Sequence, residues 1–94
     1  MRMPKLTESE ITEGVKALNG WAIEDEMLRK TFQFDGFPEA IAFTLRVAFA
    51  AEKADHHPDI DIRWNKVTLA LTTHDSGGLT KNDFDLAQVA DTLI

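Results

Sequence analysis

The sequence contains no cysteine, and only three prolines and five glycines occur among its 94 residues. Without cysteine the chain can form no disulfide, so a small fold must rely on its hydrophobic core or on association with other copies. The absence of cysteine also fits a reducing compartment. With 44% hydrophobic residues at this length, we expect one modest core and a homo-oligomer.

The sequence also lacks a long apolar run and an excess of basic charge. Its most apolar stretch, residues 37–51, contains Glu39, Thr44 and Arg46 and is too short to cross a bilayer. Residues 1–5 do not resemble a targeting signal. Ten Lys and Arg against sixteen Asp and Glu give a formal charge of −6, which opposes binding to phosphate backbones. We therefore predict a cytoplasmic protein that binds neither membranes nor nucleic acid.

Three segments carry the signals of helices. A capping box beginning at Thr7 starts the first helix, and another, formed by Thr80 and Asp83, starts the last. Residues 37 to about 57 have helical periodicity that ends before Pro58. This middle helix has two apolar stripes, so we expect another subunit to cover the second one. The stripes are residues 37, 41, 45, 48 and 49, and residues 40, 43, 47, 50, 51 and 54.

Two pairs of strands are predicted between the helices. Residues 21–23 and 28–34 form the first pair, with an acidic turn between them. Residues 60–64 and 67–71 alternate apolar and polar residues around a turn at Asn65-Lys66, which places all the apolar residues on one face. The order α-β-β-α-β-β-α predicts an α+β fold, a four-stranded antiparallel sheet with three helices packed on one face.

The chemistry of this sequence lies in its three histidines. Extending the second hairpin outwards places His57 opposite His74, with His56 beside them. Imidazole gains and loses a proton near neutral pH, so a cluster of rings offers the donor and the acceptor that elimination of water requires. Glu52 lies one helical turn before His56, and we expect the two to pair, while Asp83 could close the same cluster.

Each of these residues also has a simpler structural explanation. His56 and His57 could stabilise a helix carboxyl terminus, Asp83 could serve only as a cap, and Glu52 could form a surface ion pair. Histidines with an aspartate could also bind zinc or iron. Adjacent His56 and His57 cannot easily reach one ion, however, and neither metal-binding spacing, H-x-x-x-H nor H-E-x-x-H, is present. We therefore favour proton transfer without a metal.

The run from Glu52 to Pro58, which reads EKADHHP, is followed by Trp64, His74 and Asp83 at spacings that resemble the pterin-4a-carbinolamine dehydratase family. The resemblance extends from the Gly20-Trp21 pair to the last helix, so we predict a single dehydratase-like domain over residues 1–94. It implies a lyase that removes water from 4a-hydroxytetrahydropterin, the 4a-carbinolamine, to give quinonoid dihydropterin. This reaction serves tetrahydrobiopterin recycling beside an aromatic amino-acid hydroxylase, without metal or cofactor.

The same resemblance implies roles for individual residues. His56, His57 and His74 would be catalytic, and Glu52 and Asp83 would support them. The residues implied to contact the pterin are Asp55, Pro58, Thr72, Thr73 and Asp75. Family members form dimers and tetramers, so a homodimer or homotetramer is expected. One departure is Ile60, where animal members commonly have an aromatic residue. The alternative function is an interaction module, or coactivator-like protein, that keeps the fold without relevant catalysis.

Overall fold

The computed structural model describes residues 3–94. Within them the chain forms helices α1 (Glu8–Ala17), α2 (Phe37–Ala54) and α3 (Lys81–Asp91), and strands β1 (Ala22–Glu24), β2 (Met27–Gln33), β3 (Asp59–Arg63) and β4 (Lys66–Leu71). The strands form one antiparallel sheet in the order β1-β2-β4-β3. This confirms the predicted α+β class and the order α-β-β-α-β-β-α.

The core lies between one face of the sheet and the helices. Alternate residues of β2 and β4 point into it, and small and aromatic residues of α2 and α3 fill the space above them. Its buried members include Leu28, Phe32, Val67, Leu69 and Leu71 from the sheet, and Ala40, Phe43, Val47, Ala51, Leu86, Ala87 and Ala90 from the helices. Gly14 of α1 lies against the ring of Phe84, which places α1 beside α3. The three helices therefore share one face of the sheet.

The two apolar stripes of α2 have different surroundings. The stripe that contains Phe43 and Val47 is buried, and these residues are at most 1% exposed. The other stripe is open to solvent, with Leu45 58% and Phe49 71% exposed. Covering a side chain such as Phe49 contributes about 1.5–3 kcal/mol. Along the described residues no helix combines the length and apolarity that crossing a membrane requires.

The second hairpin turns at Trp64-Asn65, so the predicted turn at Asn65-Lys66 is wrong. The pairing is Ile62 with Val67 and Ile60 with Leu69, a shift of two residues from the predicted register. A shift of two keeps the strand residues on their predicted face, but Trp64, which was predicted on that face too, lies in the turn with φ 53° and is 69% exposed. Asn65 is held by Phe34, just after β2. Its side-chain Nδ2 donates to the Phe34 carbonyl oxygen at 2.8 Å, and its backbone carbonyl accepts from the Phe34 backbone amide.

Candidate active site

The end of α2 positions His56 and His57. The helix stops at Ala54, earlier than predicted, because Asp55 adopts a left-handed conformation with φ 51°. The amide of His56 then donates to the Ala51 carbonyl at 3.1 Å, and the amide of Asp55 donates to the Glu52 carbonyl at 3.2 Å. These two bonds are those of a Schellman motif, in which the chain reverses just past the helix. The reversal carries His56 towards the start of α3.

His56 forms a buried pair with Asp83. The ring nitrogen Nε2 lies 2.6 Å from Asp83 Oδ1, and the two side chains are 11% and 0% exposed. The other carboxylate oxygen, Oδ2, accepts from the Thr80 amide and from the Thr73 hydroxyl, both at 2.9 Å. Thr73 and Thr80 also share a hydrogen bond between their hydroxyls at 2.8 Å. Both oxygens of the buried carboxylate are therefore hydrogen-bonded.

This arrangement decides which nitrogen of His56 is free. An ionised carboxylate can only accept hydrogen bonds, so we assign the proton to Nε2 of His56. Its Nδ1 is then the ring nitrogen left to exchange a proton with a bound molecule. Asp83 also completes the capping box of α3 with Thr80, so the same side chain caps the helix and is hydrogen-bonded to His56. The two interpretations of Asp83 do not exclude each other.

Glu52 pairs with His57, so the expected pairing of Glu52 with His56 is wrong. The distance from His57 Nε2 to Glu52 Oε1 is 2.8 Å, and the two side chains are 60% and 81% exposed. The helix would have to continue past Ala54 to bring His56 over Glu52, and the left-handed Asp55 prevents this. An exposed pair of this kind orients a ring but contributes little to stability.

His74 is held by the backbone of its loop. Thr73 and Gly78 form an isolated antiparallel bridge through two hydrogen bonds of 3.2 and 3.3 Å, which closes the loop around a 3₁₀ turn at His74–Ser76. The Ser76 hydroxyl donates to the Met3 carbonyl at 2.5 Å, which fastens the loop to the beginning of the described chain. In residues 3–94 no hydrogen bond from the His74 ring is found, and the residue is exposed. Its ring is thus free to contact a ligand.

The three histidines line one cleft of about 180 Å³. The other lining residues are Asp55, Thr72, Thr73 and Asp75. Glu52 and Asp83 are hydrogen-bonded to histidines but do not line the cleft. Pro58 does not line it either. The expected strand pairing of His57 with His74 does not occur, because β3 and β4 pair no further than Asp59 with Ala70. The rings meet through the Asp55 reversal and the His74 loop instead.

Comparison with known proteins shows the family to which this chain belongs. The family model described as pterin 4 alpha carbinolamine dehydratase matches residues 4–93. A provisionally named pterin-4-alpha-carbinolamine dehydratase of Roseiflexus sp. (strain RS-1) is 58% identical over 96% of this chain and 97% of its own. The chain belongs to the pterin-4a-carbinolamine dehydratase family. A provisionally named dehydratase of Chloroflexus aurantiacus is 53% identical over 98% of this chain and 99% of its own.

Solved structures of dehydratase-like proteins share the fold. A transcriptional coactivator/pterin dehydratase from Brucella melitensis superposes with a TM-score of 0.91, at 37% identity, over 95% of this chain and 97% of its own. A pterin dehydratase-like protein identified as a RuBisCO assembly factor in the alpha-carboxysome has a TM-score of 0.68 over 80% of this chain and 89% of its own. At 24% identity this second likeness concerns the fold alone. The family identification from the EKADHHP run, and with it the prediction of an enzyme of the dehydratase class, is confirmed.

Two features of the histidine-lined cleft were not predicted from the sequence. The first is the hydrogen bond that Thr73, already expected to contact the pterin, donates to Asp83. The position of Thr73 one residue before His74 was the available signal. The second is the reversal at Asp55, since aspartate is one of the few non-glycine residues that tolerate a left-handed conformation. Among the described residues no group of three or more His, Asp or Glu side chains is arranged to hold a metal ion.

Proposed function

We propose that this protein removes water from 4a-hydroxytetrahydropterin to give quinonoid dihydropterin, as a step in tetrahydropterin recycling beside an aromatic amino-acid hydroxylase. The observation that carries the proposal is the meeting of His56, His57 and His74 in one cleft. The rings of His56 and His57 are each hydrogen-bonded through Nε2 to a carboxylate, which leaves Nδ1 of each ring for proton exchange. Family membership supports the same reaction.

The reaction needs one proton delivered and one removed. The bond between C4a and its hydroxyl breaks, and a protonated imidazole supplies the proton that turns the leaving hydroxyl into water. A neutral imidazole takes the proton of N5, and the electrons of that N–H bond form the C4a=N5 double bond. Because the hydroxyl is on C4a, the atom bonded to N5, the acid and the base must lie close together, and the lining of one cleft by three histidines supports this.

The surroundings of the three rings suggest a division of labour. His56 is rigid, because Asp83 holds its ring and Thr73 and Thr80 in turn hold Asp83. His57 and His74 are exposed and can adjust to the bound pterin. We propose that Asp55, Thr72, Thr73 and Asp75 contact the pterin ring, since they complete the lining of the cleft. The uncovered stripe of α2 supports a homodimer or homotetramer, and we place the protein in the cytoplasm.

The exposed stripe of α2 also favours a second candidate, an interaction module that has kept the fold. Its four large members are Phe37, Ile41, Leu45 and Phe49, each at least 40% exposed. A surface of this kind marks a protein interface, whether with a second copy or with another protein. The interaction module predicts a stable complex with a different protein and no effect on the rate of dehydration.

An assay of the 4a-hydroxypterin decides between these two functions. A hydroxylase reaction generates the 4a-hydroxypterin, and the decay of its absorbance is followed with and without the purified protein. We expect faster decay that survives exhaustive chelation, and loss of the effect in His57→Ala and His74→Ala. The exposed residue Gln88 of α3 provides the matched control Gln88→Ala, which should behave as the wild type. A wild-type protein without effect on the decay would rule out the dehydratase function.

A further inference from the structure

A second cavity adjoins the catalytic cleft at His74. It has a volume of about 340 Å³ and lies between the turn of the β1–β2 hairpin and the loop that carries His74. Its lining consists of Asp25, Glu26, Met27, Thr72, His74, Gly77 and Gly78. Thr72 and His74 also line the catalytic cleft, so the two spaces share a wall. A molecule that reaches across Thr72 and His74 would therefore contact both spaces.

The volumes show that the catalytic cleft alone is small for a ligand. Pockets for small molecules commonly have volumes of about 300–1,000 Å³. The cleft of about 180 Å³ falls below that range, and the adjoining cavity of about 340 Å³ brings the combined space into it. The catalytic cleft can take the part of the substrate that reacts, and the adjoining cavity is available for the remainder.

The chemistry of the substrate indicates which part that remainder is. In a pterin, C6 is bonded directly to N5, the nitrogen that loses its proton in the proposed reaction. A substituent on C6 therefore begins one bond away from a reacting atom and must leave the cleft beside a catalytic side chain. The adjoining cavity meets this requirement, because His74 lines it as well as the catalytic cleft.

The lining of the adjoining cavity favours one kind of substituent. Asp25 and Glu26 occupy the two central positions of the hairpin turn, both with positive φ, and their carboxylates accept hydrogen bonds. Thr72 adds a hydroxyl. None of the seven lining residues is Lys or Arg, although Arg29, outside the lining, lies 3.7 Å from the Asp25 carboxylate. The Lys5 side chain also passes close to Gly78, so Lys5 and Arg29 offset part of the negative charge. The carboxylates still accept hydrogen bonds from hydroxyl groups and weakly disfavour an anion.

On the basis of the proposed function, we propose that this adjoining cavity receives the C6 substituent of the pterin, and that Asp25 and Glu26 select a neutral hydroxylated substituent over an anionic one. Both carboxylates are exposed to water, so each has a modest effect. At a separation of about 7 Å, the repulsion between unit charges in water of low ionic strength changes an affinity about twofold. The two carboxylates together should change the preference about fourfold.

The test compares two stable oxidised pterins, 6-hydroxymethylpterin and pterin-6-carboxylate, with unsubstituted pterin as the reference. Dissociation constants are measured from ligand fluorescence for the wild type and for Asp25→Asn/Glu26→Gln at low ionic strength. We expect the wild type to prefer the hydroxymethyl compound, and the double variant to reduce that preference about fourfold. Binding of unsubstituted pterin should not change. The matched control Glu13→Gln/Glu39→Gln removes two exposed helical carboxylates that lie outside both cavities.

The outcomes separate this inference from the proposed function. Equal preference in the wild type and the double variant, or tight binding of pterin-6-carboxylate to the wild type, would overturn the selection by Asp25 and Glu26. A binding preference that the double variant loses, in a protein without dehydratase activity, would retain the subsite and reject the proposed reaction. Failure of all three pterins to bind would reject both. Salt at about 1 M shortens the screening length to about 3 Å and should abolish the difference between the variants.

Discussion

Replacing Asp83 by Asn tests the link between the buried carboxylate and the catalytic ring. The amide retains one oxygen, which can still cap α3 by accepting from the Thr80 amide and the Thr73 hydroxyl, as Oδ2 does in the wild type. The NH₂ group then faces His56 Nε2, which lies 2.6 Å from Oδ1 in the wild type. Because both groups cannot donate, His56 must move its proton from Nε2 to Nδ1. The nitrogen needed for proton exchange is then occupied in the neutral ring.

The structure gives magnitudes for this change. Three hydrogen bonds to a charged carboxylate become bonds to a neutral amide, at about 1 kcal/mol each, so Asp83→Asn should lower the free energy of unfolding by about 2–3 kcal/mol. Asp83→Ala leaves the Thr80 amide and His56 Nε2 without an acceptor and should cost about 4 kcal/mol. Domains commonly have about 5–15 kcal/mol of stability, so Asp83→Asn should remain folded. Its turnover should nevertheless fall at least about 100-fold, the contribution of one general acid or base.

Three measurements check this prediction. Urea unfolding followed by fluorescence, to which the buried Trp21 contributes, gives the stability of each variant. The dehydration assay gives the turnover. Nitrogen NMR of the imidazole rings shows which nitrogen of His56 carries the proton, with His57 and His74 as internal references. Wild-type turnover in Asp83→Asn, or a proton still on Nε2 of His56 in a folded variant, would refute the reasoning.

Three other substitutions separate orientation, catalysis and assembly. Glu52→Gln keeps an oxygen near the exposed His57, so the unfolding midpoint in urea should not change and turnover should fall less than about tenfold; a larger loss would assign Glu52 a direct role. His74→Ala removes no hydrogen bond found within residues 3–94, so circular dichroism should show the wild-type fold, while turnover falls to the uncatalysed rate. Phe49→Glu places a charge on the open stripe of α2 and should lower the mass measured by light scattering; an unchanged monomeric mass in both proteins would contradict the assembly. Val47 is unsuitable for this test, since it is 1% exposed and a glutamate there would unfold the core.

The parts of the fold that depend on neighbouring residues could be predicted from the sequence. Both capping boxes are four-residue patterns, and both are present. The apolar face of the second hairpin depends only on alternation along each strand, and it is correct for the strand residues but not for Trp64, which lies in the turn. Its turn could not be predicted, because Asn65 is fixed by Phe34, 31 positions earlier in the chain. The turn preferences of the residues around Asn65 carry no information about a contact with a residue so distant in the sequence.

The candidate site likewise has features that could be predicted from the sequence and one that could not. The three histidines and Asp83 could be identified from residue type and spacing, and they do come together. The partner of Glu52 could not be identified, because it depends on where α2 ends. One residue in a left-handed conformation, Asp55, ends the helix early and exchanges His56 for His57 as the partner of Glu52. No periodicity in the sequence marks that residue.

Asp83 links the start of a helix to the orientation of the His56 ring, and this has a consequence for heat inactivation. Helix ends open more readily than the core of a protein, so the first turn of α3 can fray while the sheet stays intact. When it frays, the Asp83 carboxylate leaves His56, and the ring loses its fixed orientation. Activity should then disappear on warming before the protein melts. The exchange rates of the amides of Asn82 and Asp83 would show this transition in the native protein.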